Sequence, residues 1–223
     1  MKKTAIFCLA LALILLSAPP AQALIDFGIK GGINNSKILF SPADSFSNQD
    51  YRRGASFGVF FTFNLGRLGL QPEVLYSRRG LDFEMLITPP IGDDPTAYLA
   101  PCTARLDYIE IPVLVRLNII PLGPVKVYAF GGPSYGILLK AKLDITTGGQ
   151  ADTENIKSDF KDSALAIVGG LGVDLKIPLL FRVTLEARYH YGLNNILSDT
   201  SSWLEMTDKA RNSGFSIMAG LSF

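Results

Sequence analysis

Histidine, tryptophan and cysteine are nearly absent: the 223 residues hold one His, one Trp and two Cys. Cys8 lies in an N-terminal apolar run, so Cys102 is the only thiol beyond that run. This excludes an internal disulfide and a cysteine-based metal cluster there. An excess of one charge is also lacking, with 21 Lys+Arg against 20 Asp+Glu. Near-neutrality argues against nucleic acid as a partner. Long hydrophobic runs are missing too. "AIFCLALALILL" stops at Leu16, short of the roughly 20 residues a spanning helix needs. Preceded by the basic "MKK" and followed by the small residues of "SAPPAQA", it has the form of a secretory signal peptide, expected to be cut after Ala23. Residues 24–223 are then expected to form one domain.

What the chain does have is apolar residues that are spread rather than collected, 48% of the whole. In eight segments they alternate with polar or small residues at period two, the pattern of strands. "LIDFGIKGGIN" sets Ile25, Phe27, Ile29 and Ile33 against Asp26, Gly28, Lys30 and Asn34. "GASFGVFFTFNL", "LGLQPEVLYSRR", "LDYIEIPVLVRLN", "VKVYAFGGPSYGILLKAKL", "SALAIVGGLGVDLKI" and "RVTLEARYHY" repeat the scheme, and "SGFSIMAGLSF" closes it. In the fifth segment Phe130 and Leu138 fall on the polar face, while Ala141 falls with Leu139 on the apolar one. Connections alternate strictly: "GR", "IIPLGP" and "PLLF" are short, whereas residues 36–53, 80–105, 144–162 and 192–212 form long polar loops. Tight turns and both termini then share one rim and the long loops share the other. The expected fold is all-β, an eight-stranded antiparallel up-and-down transmembrane β-barrel. An even count closes the sheet and removes its edges.

Alternation alone does not say which face points outward, since a soluble lipocalin-type barrel has the same period. Three features favour an apolar face in lipid. The polar face is rich in glycine, among them Gly28, Gly58, Gly132, Gly170, Gly172 and Gly220. Glycine weakens a strand but makes room in a narrow interior for Tyr108, Tyr128, Arg116 and Arg188. The apolar face is almost free of charge, as lipid demands; Lys or Arg at the bilayer midplane costs about 2–4 kcal/mol. Aromatic residues such as Phe27, Tyr76, Tyr189, Tyr191, Phe215 and Phe223 cluster near strand ends, where interfacial girdles lie.

The inward face would then hold Lys30, Glu73, Glu110, Arg116, Lys126, Asp174, Lys176, Glu186, Arg188 and His190. Eight strands enclose just enough room for side chains to fill, and buried charges must pair. A structural salt-bridge network is expected, with Glu73 meeting Arg116, and Glu186 or Asp174 meeting Arg188. A water-filled pore is the competing reading. His190, with Ser77, Ser134 or Ser198 at similar depth, is the only lead to catalysis, but no motif fixes a nucleophile. No enzymatic activity, cofactor or metal is expected. Trp203 and Leu204 in the last loop suit an adhesive tip, a lid or an extension of the flanking strands.

"GIKGGIN", "LQPEVLYSRRG", "YIEIPVLVRL", "GGPSYGILL", "LEARYHYGLNNI" and the terminal "AGLSF", in this order, resemble the PorT-like outer-membrane β-barrel family. The resemblance implies a barrel in the outer membrane of a Gram-negative bacterium, with both termini periplasmic. The expected function is structural or binding, with the loops as contact surface; the alternative that the family name implies is an accessory of a protein-secretion machine. The expected partners are outer-membrane lipid or lipopolysaccharide, the barrel-assembly machinery and secretion-machinery proteins. Phe215, Leu221 and the final Phe223 resemble the C-terminal signal that the assembly machinery recognises.

Overall fold

The computed structural model describes residues 24–41, 47–87, 98–147, 150–177, 181–205 and 207–223. The expected leader, residues 1–23, lies outside them. Nine strands form in chain order: β1 (Leu24–Ser41), β2 (Ser47–Leu65), β3 (Leu68–Ile87), β4 (Tyr98–Leu122), β5 (Val125–Thr147), β6 (Gln150–Asn155), β7 (Ser163–Ile177), β8 (Phe181–Gly192) and β9 (Lys209–Ser222). Eight of them close an antiparallel ring in the order β1-β2-β3-β4-β5-β7-β8-β9, and β9 returns to β1. The ninth, β6, folds back on the far end of β5 and stands outside the ring. The seam between β1 and β9 runs from Gly28 opposite Ser222 to Ser41 opposite Lys209. It leaves the ring without a free edge, the condition for a sheet in lipid.

At the turn rim, Leu65 pairs with Leu68 and Leu122 with Val125 across two-residue connections. The first residue of each connection is Gly66 or Gly123, at φ +66° and +62°, a conformation that only glycine adopts without cost.

In the half of the ring nearest those turns the apolar face is exposed and the polar face buried. Ile33 is 66% exposed and Leu171 59%, whereas Glu73 and Glu186 are each 1% exposed. A soluble barrel has the opposite arrangement, so the lipocalin-type alternative fails. Toward the other rim the polarity inverts along the taller strands, among them β1, β3, β4 and β5. In β3, Val74 and Tyr76 point out below, whereas Leu81 and Phe83 point in above, with Arg78 and Asp82 outward. In β1 the inward residue changes from Lys30 to Ile38 and Phe40. In β4 it changes from Glu110 to Leu106 and Ala104. The inversion marks the level at which the strands leave the lipid.

Two expectations are corrected here. Residues 36–53, 80–105 and 144–162 are not mainly loops: β1 to β5 continue into them, and β6 adds a hairpin arm. Alternation persists above the lipid level with reversed polarity, so a search for apolar-outward residues ends too early. The parity break in β5 is a bulge. Asp107 pairs with Lys140 but Tyr108 pairs with Leu138, which leaves Leu139 unpaired. Phe130 and Leu138 lie inside below the bulge, and Ala141 and Leu143 lie inside above it, so Ala141 does not share a face with Leu139.

Above the inversion level the inward residues pack into an apolar core of their own. It includes Ile38, Phe40, Leu81, Phe83, Leu106, Tyr108, Leu143, Phe160, Leu197 and Trp203. The β8–β9 connection supplies its lid. A single 3-10 turn, Ser202–Glu205, drives Trp203 inward, where its ring lies 6.1 Å from Phe40, 5.8 Å from Phe83 and 5.6 Å from Phe160. The lid is tied to the β6–β7 connection. Ser202 donates from its backbone N–H to the Asp159 carboxylate at 2.8 Å, and Ser198 N–H donates to the Asp159 carbonyl at 2.8 Å. Trp203 is therefore the packed anchor of a lid, while Leu204 beside it stays exposed.

Candidate functional site

Period two aims a strand's side chains at the lumen from every second position, and ring closure brings distant strands face to face. Nearest the turns, Arg182 of β8 pairs with Asp26 of β1 at 2.5 Å. One level up, Arg116 of β4 bonds Asp174 of β7 at 2.7 Å and Gln71 of β3 at 2.7 Å. Its guanidinium lies 3.6 Å from the centre of the Tyr128 ring.

The middle of the lumen is crossed by four charges. Arg188 of β8 grips Glu73 of β3 with two parallel bonds of 2.7 and 2.8 Å. Lys30 of β1 donates to Glu73 at 2.8 Å and to Glu186 at 3.0 Å. Arg188 also bonds Glu186 through Nε at 2.9 Å. Tyr128 donates its hydroxyl to Glu186 at 2.8 Å, and Gln71 donates its amide to Glu73 at 2.6 Å. Two cations and two carboxylates thus balance, and neutral donors fill the remaining lone pairs, as buried ion pairs require.

Above this quartet, Arg79 of β3 bonds Glu110 of β4, with Nη2 to Oε2 at 3.0 Å. Ser77 donates to Glu110 at 3.0 Å. Arg79 Nη2 lies 3.0 Å from His190 Nδ1. A guanidinium has only donors, so Nδ1 is the acceptor in that bond. Among the described residues no serine hydroxyl bonds the His190 imidazole. Ser77 is engaged by Glu110, Ser134 lines a void beside His190, and Ser198 belongs to the lid. The voids beside Glu110 and His190 measure about 10 Å³ each, room for about one water. From end to end the ion pairs join five cations (Lys30, Arg79, Arg116, Arg182, Arg188) to five carboxylates (Asp26, Glu73, Glu110, Asp174, Glu186).

The residues expected from the sequence are distributed as follows. Lys30, Glu73, Glu110, Arg116, Asp174, Glu186, Arg188 and His190 are buried in the lumen. Lys126 is half-buried and Lys176 is exposed at the turn rim, where Lys176 stands opposite Arg182 on the lumen-side parity; neither joins an ion pair among the described residues. Glu73 does not meet Arg116. Arg116 is opposite Gly69, well below Glu73, so strand offset separates them. Asp174 likewise takes Arg116 rather than Arg188. The inward set expected from the sequence leaves out Asp26, Gln71, Arg79 and Arg182, although each shares its strand parity with Lys30, Glu73 or Glu186. Phe215, Leu221 and Phe223 lie on the outer face of β9 and at its end. Among the described residues no cluster of His, Cys, Asp or Glu is arranged to hold a metal ion.

A closed antiparallel ring with charges inside and an apolar belt outside defines an eight-stranded outer-membrane β-barrel. The sequence matches the family described as "Outer membrane protein beta-barrel domain" over residues 20–198, and the chain belongs to that family. Similar solved structures include Neisserial surface protein A, with 13% identity, TM-score 0.45, and coverage of 88% of this chain and 97% of that one. Ail of Yersinia pestis is 18% identical with TM-score 0.42, covering 89% and 99%. OprG from Pseudomonas aeruginosa is 15% identical with TM-score 0.49, covering 90% and 97%. A search among curated proteins finds no match.

Proposed function

We propose that the chain is a sealed, non-conducting outer-membrane barrel of structural or binding type. In this reading both termini and the tight turns are periplasmic. The walls and lid above the lipid level form the contact surface on the cell exterior. The observation that carries it is the double closure of the lumen: a charge-balanced network lies across the lipid level and an apolar core with its own lid lies above it. Such a build fills the interior with bonds that hold the ring rigid and leaves the outer end as the surface free to make contacts.

Surface labelling on intact cells tests orientation. A membrane-impermeant maleimide labels Ser202→Cys directly and labels Arg67→Cys, in a turn, only after permeabilisation. The reverse order overturns the reading. Native Cys102 is buried in the upper core and gives a low background. The resemblance of the strand motifs to PorT-like barrels suggests a second reading, an accessory of a protein-secretion machine. It predicts co-purification with periplasmic or inner-membrane proteins and a secretion defect on deletion.

A further inference from the structure

The outer wall of β3, β4 and β5 carries a concentrated basic patch at the level where strand polarity inverts. Arg78, Arg105, Lys140 and Lys142, with Asp107 among them, line a shallow surface cavity of about 170 Å³. The register explains the gathering. Asp107 stands opposite Arg78 on one side and Lys140 on the other, and Arg105 stands opposite Lys142 one step higher. Arg78 donates to Asp107 at 3.1 Å, and Arg105 pairs with Asp144. Among the described residues Lys140 and Lys142 have no carboxylate in pairing range, so four cations face two carboxylates. Arg105 and Lys142 are like charges directly across a strand pair, an arrangement that destabilises a sheet when nothing neutralises it.

What lies beneath the patch is equally specific. Ile111, Tyr135, Ile137 and Leu139 are exposed apolar residues on the same wall, directly below. Tyr76 stands at the boundary, its hydroxyl 3.4 Å from Arg78 Nη2. A cationic hollow over an apolar wall matches one kind of molecule, with an anionic head at the interface and hydrocarbon below it.

We propose that Arg78, Arg105, Lys140 and Lys142 form a binding site for the phosphate-bearing headgroup of an outer-leaflet lipid, whose acyl chains lie along the apolar wall. Guanidinium groups suit phosphate oxygens by their paired donors, and the lysines add point charge. The site rests on the outward placement of the loop rim, because only that placement sets it in the outer leaflet.

The test uses the full barrel purified in neutral detergent, so that binding is read independently of orientation in the cell. The probes are bisphosphorylated lipid A, the same lipid stripped of phosphate, and inorganic phosphate. Wild type is expected to bind the bisphosphorylated lipid at least tenfold more tightly than the stripped one. Lys140→Glu/Lys142→Glu lowers that affinity by about tenfold or more, and Lys140→Gln/Lys142→Gln by a smaller factor. Both variants keep the heat-modifiable gel shift of a folded barrel. Inorganic phosphate alone does not displace the lipid. Unchanged affinity in both folded variants, equal binding of the stripped lipid, or full displacement by inorganic phosphate overturns the proposal. Reversed surface labelling with intact lipid binding defeats the orientation alone.

Discussion

At the residue scale the lumen is a set of mutually dependent charges. Arg188 touches both carboxylates of the central quartet, and Lys30 alone would remain to offset them. Removing one partner of a buried ion pair leaves an uncompensated charge at a cost of about 3–5 kcal/mol, whereas removing a neutral pair costs far less. Arg188→Ala is therefore expected to lower barrel stability by that order, read as the urea midpoint of the heat-modifiable band. Lys30→Met combined with Glu186→Gln, which deletes one charge of each sign, is expected to fall well short of it. Equal losses would mean that charge balance is not what the quartet supplies. Parity was enough to place Lys30, Glu73 and Arg188 on one face. It was not enough to pair them, because partners such as Glu73 and Arg188 lie 115 positions apart in the chain and meet only through closure and strand offset.

At the element scale β9 decides whether the ring exists. Its last contacts extend beyond the strand itself: Phe223 N–H donates to the Phe27 carbonyl at 2.9 Å, and Phe27 N–H donates to the Phe223 carbonyl at 3.3 Å. Phe223 thus contributes two seam hydrogen bonds as well as an exposed ring. Deleting Phe223 removes both contributions, whereas Phe223→Ala keeps the backbone pair. If the ring is the recognition feature, both variants reach the outer membrane in reduced amount, by several-fold, on quantitative fractionation. If only seam closure matters, the alanine variant assembles normally and the deletion does not. Normal assembly of both would leave Phe223 as an interfacial aromatic only.

The same scale shows why the strands were legible but their lengths were not. Apolar-outward alternation fixes β7 and β8 almost to the residue, because they end near the top of the lipid belt. The taller strands β3, β4 and β5 continue with the opposite polarity, and outward polar residues such as Asp82 and Arg105 then resemble loop. The bulge at Leu139 shifts the inward parity within β5, which alternation alone does not reveal.

At the scale of the whole molecule, two closures in series make a claim about transport. Even with the lid displaced, an ion entering from the loop rim meets Arg79–Glu110, then the central quartet, then Arg116–Asp174, each held by short bonds in a lumen with room for single waters. Purified protein in planar bilayers is accordingly expected to show no stable open conductance. Trp203→Ala separates the two closures. Loss of a buried tryptophan costs about 3–5 kcal/mol, and here it falls on the lid: the segment around residues 198–205 is expected to become sensitive to limited proteolysis. The heat-modifiable band persists, because the ring's ladders do not pass through Trp203. The bilayers stay silent, because the charged levels beneath are untouched. Reproducible channels in Trp203→Ala but not in wild type would make the apolar lid the true seal and the charge network a permeable lining. Channels in both would return the molecule to the porin reading. Silence together with a protease-sensitive lid places the seal in the polar half, where eight strands leave width only for the side chains they carry.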